Sequence, residues 1–397
     1  MGFTNSLTPM GNPLISTYPI NEYRTVLGLI SGTSADGVDV ACVKFPPVGL
    51  SDGLELISFQ TIPYPAELKQ RVLDASEDKL TLRQTAVLHT DLGCFFGEVA
   101  SQALPEGGCH LVASHGQTVC HLPGQQTTLQ LGEGAFIANR TGVLTITDFR
   151  PADLALGGQG APLVPVFDRH LLAHKERSRI AVNLGGIANI TVIPADSDKI
   201  TAWDTGPANC VSDAICRAHH KGDFDPDGRM AGDGEVDQTL LARLLGLDYF
   251  QLSPPKSTGL EDFGREFAAL HFTDGDFPNL LRTAVALSAQ SLVNAIEQAS
   301  EDMSGSPLDL VFAGGGTSNL TLMMEIRQRL ASAWQDKDQD TPGFLTFADF
   351  GISEESREAV AFAYLGDRTA RGLTGALPST TGASRAAILG KISVPAP

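Results

Sequence analysis

An α/β protein built from two similar lobes is what this 397-residue sequence predicts. Three observations carry that expectation. Two distant segments share one layout: an apolar strand, a glycine turn, a second strand. A third glycine turn opens a helix instead, and strand-like and helix-like stretches alternate between the turns. The length itself exceeds what one small core organises and favours two domains.

The first turn lies in "GLISGTSADGVDVACVKF", Gly28–Phe45. A Walker A loop needs Gly-Lys-Ser/Thr leading into a helix, but no Lys follows here, and "VDVACVKF" is β-branched and apolar like a strand. Leu27–Ile30, the turn and Val38–Phe45 therefore read as a hairpin, with Gly32 and Gly37 giving tight geometry and Thr33, Ser34 and Asp36 at its tip. Taken alone, this stretch is equally a plain hairpin with an Asp-Gly turn. "RIAVNLGGIANITVI", Arg179–Ile193, repeats the layout around Gly185 and Gly186. In "LDLVFAGGGTSNLTLMMEIRQRL" a strand meets Gly314, Gly315 and Gly316, and a helical pattern follows from about Asn319, with Thr317 or Ser318 as its natural N-cap. Free amides at a helix start let a nucleotide approach the backbone. Two hairpin turns and one helix-initiating turn are the layout of the two-lobed actin-like ATPase and sugar-kinase fold, a duplicated ribonuclease H-like unit. In that fold ATP and sugar occupy the interlobe cleft.

Between the turns, residues 65–105 carry helical periodicity and "CHLVASHGQT" reads as a strand entering a loop. Residues 211–219, 236–246 and 279–300 read as helices, as does "REAVAFAYLGDRTARGL" near the end. The expected organisation is a loose tail over 1–21, a first lobe over 22–150 with 376–397 as its candidate completion, and a second lobe over 151–375.

The net charge of −18 excludes a nucleic-acid partner, which needs clustered Lys and Arg, and requires any anionic ligand to be held locally. None of the six cysteines forms a C-x-x-C pair, which points to reduced thiols in the cytoplasm. No apolar run is long enough to span a membrane. "MGFTNS" fits the permissive N-myristoylation pattern, with coincidence preferred.

Four loops gather polar residues beside Gly and Pro: "ASHGQT", "TDFRPADLALGGQGAPLVP", "AWDTGPANCVSDA" and "SPPKSTGLEDF". Each has a bland alternative. His115 could bond neighbouring backbone, Arg150 and Asp153 could form a structural ion pair, Asp204 could hold an Asx turn, and Lys256 could be a solvated charge. Their combination is what suggests a site, because a scaffold places sites on loops.

These stretches, with "SGTSADGVD", "NLGGIANIT", "FDPDGRMAGDG", "AGGGTSN" and "EAVAFAYL", resemble the anhydro-N-acetylmuramic acid kinase family and its close relative levoglucosan kinase. They occur in family order from Val26 to Gly375. The resemblance implies ATP and Mg²⁺ as cofactors, a 1,6-anhydro sugar as substrate and a place in amino-sugar metabolism and cell-wall recycling; a homodimer is also expected. The first turn, Gly32, Thr33, Ser34, Asp36, Gly37 and Asp39, would hold the nucleotide phosphates, with Asp36 as metal ligand. Gly185 and Gly186 would face the phosphates. Gly314, Gly315, Gly316 and Asn319 would line the nucleoside pocket. Asp204 matches the catalytic aspartate. His115, Gln117, Asp148, Arg150, Asp153, Asn209, Lys256 and Glu358 would serve the sugar side. N-acetylmuramic acid 6-phosphate is the expected product, with a levoglucosan kinase making glucose 6-phosphate as the alternative. A hexokinase-like kinase or a non-enzymatic actin-like nucleotide switch is more distant. Ala208 stands where the family usually has Gly, which predicts a slightly re-aimed loop after Asp204.

Overall fold

The computed structural model describes residues 18–396 apart from 33–34, 51–52, 198–199, 255, 302, 304–305 and 338–339. The acylation-like pattern, most of the expected tail, Thr33 and Ser34 lie outside the described residues. The chain divides into two units, one running to Leu171 and resuming at Gly351, the other Leu172–Phe350.

In the first unit β1 (Arg24–Ser31), β2 (Gly37–Phe45) and β3 (Glu55–Pro63) form an antiparallel meander. β4 (Leu111–Leu122) adds parallel to β1, and β6 (Thr145–Thr147) adds parallel to β4. β5 (Thr127–Leu131) pairs with β4, and β12 (Lys391–Ser393) closes the edge on β6. β1 and β2 are buried on both faces, which is why they read as continuous apolar runs. One face, through Leu27, Leu29, Val38, Val40 and Cys42, packs on α1 (Ala66–Ser76) and α2 (Leu82–Gln102) by way of Val72, Leu88, Leu92 and Phe96. Thr81 and Gln84 start α2 with a reciprocal capping box. The other face carries the late helix Arg357–Ala370, called α7 below. It sits close because a Cβ on Gly28 would fall 2.0 Å from the Ala359 carbonyl oxygen, and one on Gly366 would fall 2.5 Å from Ala113 Cβ.

The second unit repeats this plan. β7 (Ser178–Leu184), β8 (Ile187–Ile193) and β9 (Thr201–Pro207) form the meander. β10 (Leu308–Ala313) runs parallel to β7, and β11 (Gly343–Thr346) runs parallel to β10. The first sheet runs β3-β2-β1-β4-β6 and the second β9-β8-β7-β10-β11, the same arrangement of a meander and two parallel strands, to which the first unit adds β5 and β12. α5 (Phe277–Glu301) and α6 (Leu320–Asp336) cover Ile180, Val182, Leu310 and Phe312 with Leu287, Leu292, Ile326 and Leu330. A meander plus two parallel strands, made twice, is the duplicated ribonuclease H-like topology of actin-like ATPases and sugar kinases.

Several local expectations are corrected. His115–Thr118 lie inside β4 and Asp204 inside β9, not in loops. Asn319, not Thr317 or Ser318, caps α6, because Gly315–Ser318 form a 3₁₀ turn in which the Thr317 hydroxyl donates to the Gly314 carbonyl at 2.8 Å. The division falls at Leu171 and Gly351, not at 150 and 375, since α7 belongs to the first sheet. All six cysteines are free. No helix among the described residues is long and apolar enough to cross a membrane.

Candidate active site

In the first unit, Gln117 on β4 organises the first turn. Its Nε2 donates to the Gly32 carbonyl at 3.1 Å, while its Oε1 lies 2.6 Å from Ser31 Oγ and 3.3 Å from the Tyr64 hydroxyl. The Ala35 N–H returns to the Gly32 carbonyl at 3.2 Å, with Ala35 at φ 51°. Gln117, expected on the sugar side, is therefore committed to the turn, and Tyr64, which the sequence reading passed over, supports it. Gly37 is needed for sheet packing, because a Cβ there would lie 2.3 Å from the Ile62 carbonyl oxygen. Asp39 accepts a hydrogen bond from Thr61 Oγ1. The exposed carboxylate of Asp36 pairs with Lys69 at 2.6 Å.

Beyond β4, the His115 ring accepts from Arg150 Nε at 3.0 Å, and Arg150 Nη1 donates to the Gly160 carbonyl at 2.9 Å. Burial, then the Arg150 charge, push His115 down to about 3, so the ring is neutral. Burial lowers Arg150, opposed by the negative charge of Glu358 on α7. Asp153 is fully buried, with Oδ2 accepting from the Gly160 N–H and Oδ1 from Thr381 Oγ1, both at 2.8 Å. It ties the loop to the C-terminal segment, and each of its oxygens already accepts one hydrogen bond within the protein. Asp148 pairs with Lys391 at 2.7 Å.

In the second unit, Asn209 fastens the Gly185-Gly186 turn. Its N–H and Nδ2 donate to the Gly185 carbonyl at 3.2 and 3.0 Å, and the Ala208 and Cys210 N–H groups donate to the Gly186 carbonyl. Neither glycine has positive φ, and a Cβ on either would meet nothing nearer than 3.5 Å. The fold does not require glycine there; close approach of a ligand to the backbone would. Gly314, at φ 94°, and Gly316 are required by packing, since a Cβ on them would lie 2.5 and 2.7 Å from atoms of Leu184. Only Gly315 of this trio faces open space. Asn319 Oδ1 accepts from the Leu322 N–H at 3.0 Å as N-cap. Ala208 is not at positive φ, so the alanine sits in its loop without left-handed strain.

Asp204 is held from three sides. Its N–H donates to the Lys256 carbonyl at 3.1 Å, its carbonyl accepts from the Tyr249 hydroxyl at 2.7 Å, and its Oδ2 accepts from the Thr258 N–H at 3.0 Å. Oδ1 has no hydrogen-bond partner among the described residues. Burial raises the Asp204 pKa above the ordinary carboxyl value, against the Thr258 N–H, which lowers it. Lys256 does not pair with it. Its ammonium donates to the Tyr249 carbonyl at 3.0 Å and lies 4.6 Å over that ring. Asp204 is thus a carboxylate with one fixed oxygen and one available oxygen, suited to accept a proton. Thr258 and Tyr249 were missed by the sequence reading, though "PPKSTG" pointed at their neighbourhood.

A cavity of about 1000 Å³ opens beside Gly186 between α3 (Cys210–Ala218) and α4 (Arg265–His271). Asp213 on its wall is pushed up to about 6, chiefly by burial. Among the described residues no group of three or more His, Cys, Asp or Glu could cage a metal. Magnesium carried with nucleotide phosphates needs only one or two protein carboxylates, and Asp36 has that chemistry.

The family model for anhydro-N-acetylmuramic acid kinase matches residues 24–395. The chain is 39% identical to the anhydro-N-acetylmuramic acid kinase of Salinibacter ruber, covering 94% of this chain and 97% of that one. It is 36% identical to the enzyme of that name from Caldanaerobacter subterraneus subsp. tengcongensis (94% and 98%) and 37% identical to that of Vibrio cholerae (94% and 99%). A kinase transfers phosphate to an alcohol oxygen, and with a match over nearly its whole length this chain belongs to the anhydro-N-acetylmuramic acid kinase family.

Proposed function

We propose that the protein uses ATP to open 1,6-anhydro-N-acetylmuramic acid and phosphorylate O6, giving N-acetylmuramic acid 6-phosphate and ADP. The observation that carries this reading is Asp204, buried enough to raise its pKa and, among the described residues, unpaired with any cation and with its Oδ1 unbonded. A 1,6-anhydro sugar has no hydroxyl proton on O6 for a base to remove. Asp204 instead takes a proton from a water that attacks C1. The C1–O6 bond breaks as C1 gains oxocarbenium character, and O6 takes the γ-phosphoryl group as ADP leaves.

The Gly32–Asp39 and Gly185-Gly186 turns hold the phosphates, and Gly315 and its neighbours flank the nucleoside. Asp36 would hold Mg²⁺ once it releases Lys69, and the ion supplies charge neutralisation on the phosphates. Arg150 and Glu358 face the sugar. The enzyme acts in the cytoplasm, as a homodimer.

The test is an ADP-release assay with 1,6-anhydro-N-acetylmuramic acid, levoglucosan and glucose, followed by turnover in ¹⁸O-labelled water. The label is expected on C1 of the product and not in its phosphate. Glucose as best substrate, or no label on C1, overturns the reading.

A further inference from the structure

We infer that His115 is a positioning residue that aims Arg150 at the acceptor sugar, an inference that rests on the sugar-facing reading of Arg150 above. His115 is 3% exposed, and both ring nitrogens are committed. Nδ1 donates to the Gly116 carbonyl at 3.0 Å, and Nε2 accepts from Arg150 Nε at 3.0 Å. Only the neutral ring with its proton on Nδ1 makes both bonds, because a guanidinium has no lone pair to offer. The ring is clamped 4.5 Å from that of Phe362 on α7. No atom of His115 remains for a ligand.

Arg150 is therefore fixed at two points, Nε on His115 and Nη1 on Gly160. Two anchors on a planar fork set its orientation. Nη2 makes no hydrogen bond among the described residues, and neither does the Glu358 carboxylate whose charge acts on Arg150. An unused donor and an unused acceptor in one another's field suit a group that does both, and a sugar hydroxyl accepts from one and donates to the other. Without His115, the fork would turn about its remaining anchor.

The test compares His115→Phe, which keeps the ring packing and removes the acceptor, with His115→Gln, whose Oε1 takes the place of Nε2. Two readouts are used: steady-state kinetics with 1,6-anhydro-N-acetylmuramic acid and ATP, and the ¹⁵N-detected Nε–Hε signal of Arg150, assigned with Arg150→Lys. In His115→Phe the expected results are a loss of the exchange-protected Arg150 signal and a rise of about tenfold in KM for the sugar, the worth of one ordinary hydrogen bond. KM for ATP should stay within about twofold, since His115 does not touch the turns. His115→Gln should recover most of both losses. An unchanged sugar KM in His115→Phe overturns the proposal, and the signal tells why. A persisting signal means His115 does not hold Arg150; a lost signal means that it does, and that Arg150 does not serve the sugar. Equal impairment of the two variants also overturns it, since the ring and not the acceptor would then matter.

Discussion

Asp204 sets two demands against each other. Its raised pKa means the folded protein holds that proton more tightly than the unfolded chain does, so the ionised form opposes folding at neutral pH and the penalty fades as pH falls through the raised value. Catalysis needs the same group ionised, so turnover should fall as pH drops through that value. Asp204→Asn, which keeps an oxygen for the Thr258 N–H, should raise the melting temperature at pH 7 and lower kcat by about 10²–10⁴-fold, while titrations still show ATP and sugar binding. Near-normal turnover, or a lower melting temperature, would sink the assignment. The glycines give a second contrast. Gly186→Ala has room and ordinary φ, so it should melt like the parent while KM for ATP rises. Gly314→Ala combines φ 94° with a contact 2.5 Å from the Leu184 carbonyl oxygen and should lose about 1–3 kcal/mol of stability in chemical denaturation.

At the scale of elements, most of the fold was legible because its strands and helices keep their periods. The two hairpins were read from glycine turns between apolar runs, and Phe277–Glu301 from its length and apolar spacing. What failed were boundaries where side chains outweigh local pattern. "ASHGQT" looks like a loop because it holds His, Gly and Gln, yet β4 continues through it, since Gln117 is bonded at both ends of its amide and His115 at both ring nitrogens. Asp153 looked like a ligand residue by composition, and only the fold brings Thr381 to it across the sequence. Asn319 is the telling case for α6, being both a nucleoside candidate by position and a helix cap by geometry. Asn319→Ala should cost about 1 kcal/mol, with Asn319→Asp close to neutral. If KM for ATP rises severalfold in both variants, capping is not its whole role.

For the whole molecule, the duplication was visible in sequence only through its glycine turns, whereas the shared strand order shows it directly. The domain limits were not legible, because no linker marks them and the first unit is completed from far along the chain. That discontinuity has an energetic side. Leu172–Phe350 is continuous and carries its own core, so this fragment alone should melt cooperatively by circular dichroism. A chain ending at Phe350 lacks α7, leaving the Gly28 side of β1 and β2 uncovered, and should show a single cooperative transition from the second unit while the first binds hydrophobic dye. Two native-like transitions in the truncated chain would refute this.

The same discontinuity reverses the usual order of folding on the ribosome, where domains generally close from the N-terminus onward. Here the N-terminal unit is made first and finished last, because α7 and β12 emerge only after the whole of Leu172–Phe350 has been synthesised. A nascent chain therefore completes the unit that carries the Gly185-Gly186 turn before α7 arrives to cover the sheet beneath the Gly32–Asp39 turn. Premature termination between Phe350 and Arg357 yields one finished half and one unfinished half, and quality control would recognise it by the exposed face of β1.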